Sequence, residues 1–156
     1  MEDSLKKDHA GVKLPPPLSF LTMILISMGV NRLYPINITE SVWIKYLGIA
    51  LVVLSLTSII YIAFLFRKHR TEIEPWKTTS SIIKTGPFKY SRNPIYVGMC
   101  LITIGIGLIA NSYWVVFSFI PAATLVYYTA IRKEERYLEE KFGQEYLDYK
   151  SKVRRW

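Results

Sequence analysis

An all-α integral membrane fold, with about four transmembrane helices followed by amphipathic helices at the cytoplasmic face, is predicted by three features of this chain. Apolar residues make up 51% of its 156 positions, although it also carries 20 Lys and Arg. The apolar and charged residues lie in separate blocks, so that mean hydropathy stays positive at +0.20 despite a net charge of +8. Residues 95–131 form a run of 37 without one charged side chain. Such segregation is the mark of a chain solvated by a bilayer.

Each element follows in order. Residues 1–13 carry three acids and three lysines without apolar periodicity, which reads as a short surface tail. Pro15-Pro16-Pro17 then opens an apolar run to Val30. Proline is accommodated in the first helical turn, where amides have no intrahelical partner. No small-residue cleavage site precedes Asn31-Arg32, so the run is taken as a first membrane helix rather than a signal peptide. Residues 33–40 hold Pro35, an asparagine and a threonine, and form a loop; Asn37-Ile38-Thr39 matches a glycosylation sequon, a frequent chance occurrence. Residues 46–66 are 21 uncharged positions, flanked by Trp43 and Tyr46 on one side and Arg67-Lys68-His69-Arg70 on the other. At 1.5 Å per residue they cross a hydrocarbon core of roughly 30 Å.

The run over 95–131 would be about 55 Å long as one helix, too long for a bilayer. Asn111-Ser112 divides it into two pieces and predicts a tight helical hairpin in the C-terminal half. Pro121 lies inside the second piece and predicts a kink there. Four spans leave both termini on one side. Seven lysines and arginines lie in 67–92, eight in 132–156 and three in the N-terminal tail, against only Arg32 and Lys45 in the two opposite connections. The positive-inside rule therefore makes the termini and the central loop cytoplasmic. The chain reads as one membrane domain over 1–156: a tail and two spans in 1–66, then a loop, the hairpin and an amphipathic tail in 67–156.

This distribution also argues against a nucleic-acid footprint, because the basic residues flank apolar segments, where they meet anionic lipid. The single cysteine, Cys100, lies inside an apolar run and makes neither an internal disulfide nor a zinc site. There is no G-x-G-x-x-G after a strand, no P-loop and no H-E-x-x-H, and the only histidines are His9 and His69. Rossmann dinucleotide binding, metal hydrolysis and a Ser-His-Asp triad have no support.

Two stretches carry the chemistry. The first is Gly86-Pro87-Phe88-Lys89-Tyr90-Ser91-Arg92-Asn93-Pro94-Ile95-Tyr96-Val97-Gly98. Asn93-Pro94 has the form of a helix start, Asn as cap and Pro at the first helical position. With Arg92 beside it, that positive corner suits a carboxylate or phosphate, or else a lipid headgroup. Gly86-Pro87 reads as a turn bringing Phe88 and Tyr90 over the helix start, where the rings stack on a planar ligand or join the interfacial belt. Gly98, Gly105 and Gly107 permit close helix approach.

The second stretch is Glu134-Glu135. Tyr128, Ile131, Glu135, Leu138 and Phe142 fall on one helical face, which puts Glu135 on an apolar stripe and Glu134 about 100° away with solvated neighbours such as Lys141. A carboxylate on a buried face needs a cation such as Arg92 or a polar ligand. Glu139 and Glu140 read as surface residues, Glu140 pairing with Arg136. Gly143 interrupts the helix, and Tyr146, Tyr149, Val153 and Trp156 recur beyond it at helical spacing, as an amphipathic piece lying over the site.

Three passages resemble the small integral-membrane methyltransferases, which include isoprenylcysteine carboxyl methyltransferases and phospholipid N-methyltransferases. They are Thr71-Glu72-Ile73-Glu74-Pro75, the 86–98 stretch, and Glu134-Glu135 followed by Phe142-Gly143, Tyr146, Tyr149 and Val153-Arg154. The resemblance covers residues 67–156. It implies S-adenosylmethionine as methyl donor, bound at the cytoplasmic membrane edge by Gly86, Tyr90, Arg92, Asn93, Pro94, Tyr96, Gly98, Glu134 and Glu135. It also implies Arg92 and Glu135 as catalytic residues, no metal, and a lipophilic acceptor reaching the site from the bilayer. A carboxyl acceptor would need orientation, by Arg92, and an amine acceptor a base, with Glu135 the candidate. The isoprenylcysteine enzymes carry histidine where this chain has Asn93 and another where it has Ser80, which argues against a prenylcysteine acceptor. The tail of acids and spaced aromatics is also similar to NADPH-dependent membrane steroid and sterol reductases. A non-enzymatic membrane scaffold or lipid-binding protein is the third alternative.

Overall fold

The computed structural model describes residues 10–12, 14–71 and 79–156. Within them the chain is helical, with no strand. Of the Thr71–Pro75 motif, only Thr71 lies among the described residues. The order is α1 (Pro16–Leu33), α2 (Val42–Lys68), a single 3₁₀ turn (Gly86–Lys89), α3 (Pro94–Ile109), α4 (Tyr113–Phe117), α5 (Phe119–Val126), a π-helical turn (Tyr127–Ile131), α6 (Arg132–Phe142) and α7 (Gln144–Lys152).

Among the described residues, two helices are long and apolar enough to cross a membrane. One is α2, with 27 residues; the other is the continuous helical stretch Tyr113–Phe142, with 30. The apolar α3 is shorter, at 16 residues.

The hairpin turns where the sequence predicts it. Asn111 adopts φ 51°, a left-handed conformation that asparagine tolerates better than most residues. Its side-chain oxygen accepts from the amides of Ile38 and Thr39, both at 3.0 Å, so the α1–α2 loop is tied to the hairpin turn. Ser112 Oγ donates to Asn31 Oδ1 (2.8 Å), and Trp114 Nε1 donates to the carbonyl of Tyr34 (2.8 Å).

Pro121, where a kink is expected, has an interruption of the regular helix just upstream of it. Proline lacks the amide that would bond to the carbonyl at i−4, and its ring crowds that carbonyl. For Pro121 this is Phe117, where α4 ends before α5 begins at Phe119.

Helices α2 and α3 pack with backbones almost touching. A Cβ at Gly48 would lie 2.6 Å from the carbonyl oxygen of Gly105, and one at Gly105 2.7 Å from that of Gly48. Only glycine fits both positions, and dispersion between the close backbones holds the pair. The principal core lies between α1, α3 and α5: Phe20, Tyr96, Ala122, Val126, Ala130 and Ile131.

Val12 belongs to this core at 5% exposure. The reading of residues 1–13 as a surface tail is therefore corrected for Ala10–Val12, which pack inward. Three residues carry no periodicity from which long-range burial can be read.

Candidate functional site

One cavity of about 350 Å³ lies where α3 starts, α6 passes and α7 folds back. Such volumes are in the lower part of the range typical of small-molecule sites. Its polar wall contains Arg92, Asn93, Glu134, Glu135, Tyr137 and Tyr146.

The centre of that wall is a three-residue charge cluster. Glu135 is 7% exposed. Its Oε1 accepts from Arg92 Nη2 at 3.1 Å and from Arg155 Nε at 2.8 Å, while Oε2 accepts from Arg155 Nη2 at 2.9 Å. Arg155 thus grips the carboxylate with both teeth, and its guanidinium lies 5.1 Å from the ring centre of Tyr127. Two cations share one anion, which leaves the cluster with a surplus positive charge. The Arg92 side chain is 7% exposed. Its Nη1 donates to the carbonyl of Lys150 (3.3 Å), yet its Nε is buried with no hydrogen-bond partner. An orphaned buried donor costs about 1–3 kcal/mol, and an anionic ligand removes that cost.

The C-terminal residues complete this wall as extended chain. α7 ends at Lys152 and Val153 has strand-like dihedrals. A parallel bridge joins Ser91 to Arg154, the amide of Arg92 donating to the Arg154 carbonyl at 2.9 Å. Ser91 Oγ and Asn93 Nδ2 donate to the Arg155 carbonyl at 3.0 and 3.1 Å. In extended chain, successive side chains alternate in direction. Arg155 accordingly turns inward while Arg154 and Trp156 are exposed. The helical spacing expected as far as Trp156 thus stops at Lys152.

A second acid stands beside the first. Tyr96, on α3, donates its hydroxyl hydrogen to Glu134 Oε1. Glu134 therefore faces the cavity as Glu135 does, rather than sharing the solvated side of Lys141. The inner face of α6 is wide because α3 meets one flank and the tail meets the other. The π turn alters the phase upstream by one residue. Tyr127, rather than Tyr128, takes the inner position, and Tyr128 is 58% exposed.

On α7, burial raises the Tyr146 hydroxyl pKa, with the Glu135 charge adding to it. Burial pushes Tyr149 up to about 12, against an opposing effect of Arg92. Both remain hydrogen-bond donors at neutral pH, and Tyr149 donates to the Phe88 carbonyl at 2.7 Å. The hydrogen bonds to Glu135 raise Arg155 above its ordinary value.

Comparison with known proteins supplies the identity of this arrangement. Residues 43–145 match the family model described as "Phospholipid methyltransferase". The chain belongs to that family. Protein-S-isoprenylcysteine O-methyltransferase of Saccharomyces cerevisiae is 38% identical over 72 residues, which is 46% of this chain and 30% of the yeast protein. An uncharacterized protein of Haemophilus influenzae is 69% identical over 26 residues, 17% of this chain and 41% of that protein. The matched segments span less than half of either relative.

Among the residues predicted to bind the donor, this member of the phospholipid methyltransferase family brings Arg92, Asn93, Pro94, Tyr96, Glu134 and Glu135 to one cavity. Gly86, Tyr90 and Gly98 lie elsewhere. Gly86, at φ 60°, packs on Tyr61 and Leu65 of α2; Gly98 packs on Ile59; and Tyr90 is 78% exposed. Of the two loop aromatics, Phe88 is the one that turns inward, buried against Phe66 at a ring separation of 5.8 Å. Asn93 occupies the helix-start position, but its side chain holds the tail and makes no cap bond. Sequence reasoning missed Arg155 and Tyr137 as site residues. Arg155 follows the Val153-Arg154 pair by one position, past the end of α7, and its inward turn rests on the bridge between Ser91 and Arg154.

Proposed function

We propose that this family member is a multi-pass membrane methyltransferase that uses S-adenosylmethionine at the cytoplasmic membrane edge and methylates a lipophilic acceptor drawn from the bilayer. The observation that carries the reading is the buried, unpartnered Nε of Arg92 in a cavity wall that also holds the carboxylates of Glu134 and Glu135. The donor's carboxylate suits that wall, its ammonium suits Glu134, and its adenine suits the rings of Phe88, Tyr146 and Tyr149. When bound, the donor supplies a methyl group already activated by a sulfonium.

The protein's part is then positioning and exclusion of water. Glu135 holds Arg92 and Arg155 in place, with both of its oxygens engaged. A carboxylate acceptor would be oriented by the arginines. An amine acceptor would lose its proton to Glu134, which retains accepting capacity beside the Tyr96 hydroxyl.

Four spans with cytoplasmic termini rest on the distribution of lysine and arginine. At 1.5 Å per residue, α1 and α3 reach about 27 and 24 Å, and local thinning of the bilayer absorbs a mismatch of that size. The test is binding of labelled S-adenosylmethionine to detergent-purified protein, with NADPH as competitor class. Saturable donor binding that weakens about 10-fold to 100-fold in Arg92→Ala is expected, as loss of a charged hydrogen-bond donor costs about 1.5–3 kcal/mol. Saturable NADPH binding without donor binding overturns the reading.

A further inference from the structure

The cavity has two unlike walls. The polar lining comes from the start of α3, from α6 and from α7. The same cavity has an apolar lining to which the N-terminal segment contributes Ala10, Pro16 and Pro17, alongside Ile59 of α2 and Met99 of α3. Val12 anchors this segment in the core with Tyr96, Val126 and Ala130. Gly11, between Ala10 and Val12, has φ 64°, a conformation that suits glycine. The strap thereby packs on the tyrosine that holds Glu134.

We infer that this N-terminal strap is the acceptor-selecting wall of the site, with the small side chain of Ala10 setting how much apolar chain the acceptor can place beside Tyr96 and Met99. The inference rests on the methyltransferase reading above. A water-borne, charged donor matches the polar wall, so the acceptor's hydrocarbon is left the wall made by the strap and α2. Helix α2 is continuous with the lipid-facing surface, where Ile60 and Phe64 are 69% and 59% exposed. Ala10, Pro16 and Pro17 all precede the region matched by the family model, residues 43–145. The shared segment builds most of the polar wall, and the strap is where members of one family can differ in acceptor.

The experiment compares wild type, Ala10→Phe and Ala10→Gly in lipid nanodiscs. Donor affinity is read by calorimetry with S-adenosylhomocysteine. Turnover is read on two acceptor series of rising chain length, N-acetyl-S-alkylcysteines and diacyl phosphatidylethanolamines.

Ala10→Phe is expected to lower kcat/KM for the longest accepted chain by about 10-fold or more, the scale set by misfit of a few atoms in an apolar pocket. Short chains and donor affinity should shift by less than about 2-fold, and Ala10→Gly should extend the accepted length. Val12→Ala provides an independent variant, expected to flatten the chain-length profile by loosening the strap. A profile unchanged in all three variants overturns the proposal while leaving the methyltransferase reading intact, as does a loss of donor affinity equal to the loss on acceptors. Wild type that binds donor but methylates neither series also overturns it. Wild type that binds no donor removes both readings.

Discussion

The two ends of the α3–α4 hairpin carry polar clusters of similar size and opposite character. At the Asn111 turn the bonded groups are neutral and matched. One side-chain oxygen takes two loop amides, a serine meets an asparagine, and an indole meets a carbonyl. At the Arg92 corner the groups are charged and unmatched, with two arginines on one carboxylate and an orphaned Nε. The first arrangement is complete without a ligand. The second is not, and that difference underlies the proposal that the Arg92 end binds while the Asn111 end ties the fold together.

The largest effect should come from removing the anion shared by both arginines. Glu135→Gln leaves the buried Arg92 without its countercharge and frees the half-buried Arg155, a change of the kind that costs about 3–5 kcal/mol. Turnover should fall by at least about 100-fold, and the tail should release from Ser91 and Asn93. Limited proteolysis at the C terminus checks the second effect. A variant with wild-type turnover and a protected tail would mean that the cluster is a fastening like the one at Asn111.

Next in size is Tyr96→Phe, which removes the hydroxyl from Glu134 and leaves the ring in the core. The expected loss is about 10-fold in kcat, within the range for one hydrogen bond to a charged group, about 1.5–3 kcal/mol. Donor affinity and melting temperature in detergent serve as controls. An unchanged kcat would place Glu134 outside the chemistry.

The same contrast explains what could be read from the sequence. The hairpin was legible because an uncharged run of that length has one economical fold, and Asn111-Ser112 is the turn signal near its middle. Contact between Arg92 and Glu135 followed from the charge distribution and helical phase together, since the charge distribution predicts one face of the membrane for both and a buried carboxylate needs a cation. Arg155 was not legible, because its inward turn depends on a strand-like bridge to Ser91 that no local pattern encodes. Glu134 was misplaced because phase within α6 says nothing about how many neighbours flank its inner face. The π turn, with no sequence signature of its own, exchanged Tyr127 for Tyr128. At the other end, the bonds from Asn111 to Ile38 and Thr39 span more than 70 positions and were equally invisible.

The smallest expected effect lies at that far end and tests the contrast from the other side. Asn111→Gly keeps the left-handed backbone, since glycine adopts φ 51° without penalty, but deletes the oxygen shared by the amides of Ile38 and Thr39. Two part-buried amides then lose their acceptor, at a cost of up to about 1–3 kcal/mol for each that water does not reach. Most of the loop is exposed, so water replaces much of this and the net loss should be about 1 kcal/mol. A lower melting temperature in detergent is therefore expected, with donor affinity and kcat unchanged. Asn111→Asp, which retains an acceptor oxygen, should recover part of the stability. If donor affinity instead falls in step with stability, the two ends of the hairpin are coupled through α3, and the ligand-free completeness of the Asn111 cluster would itself be part of how the Arg92 corner is held ready.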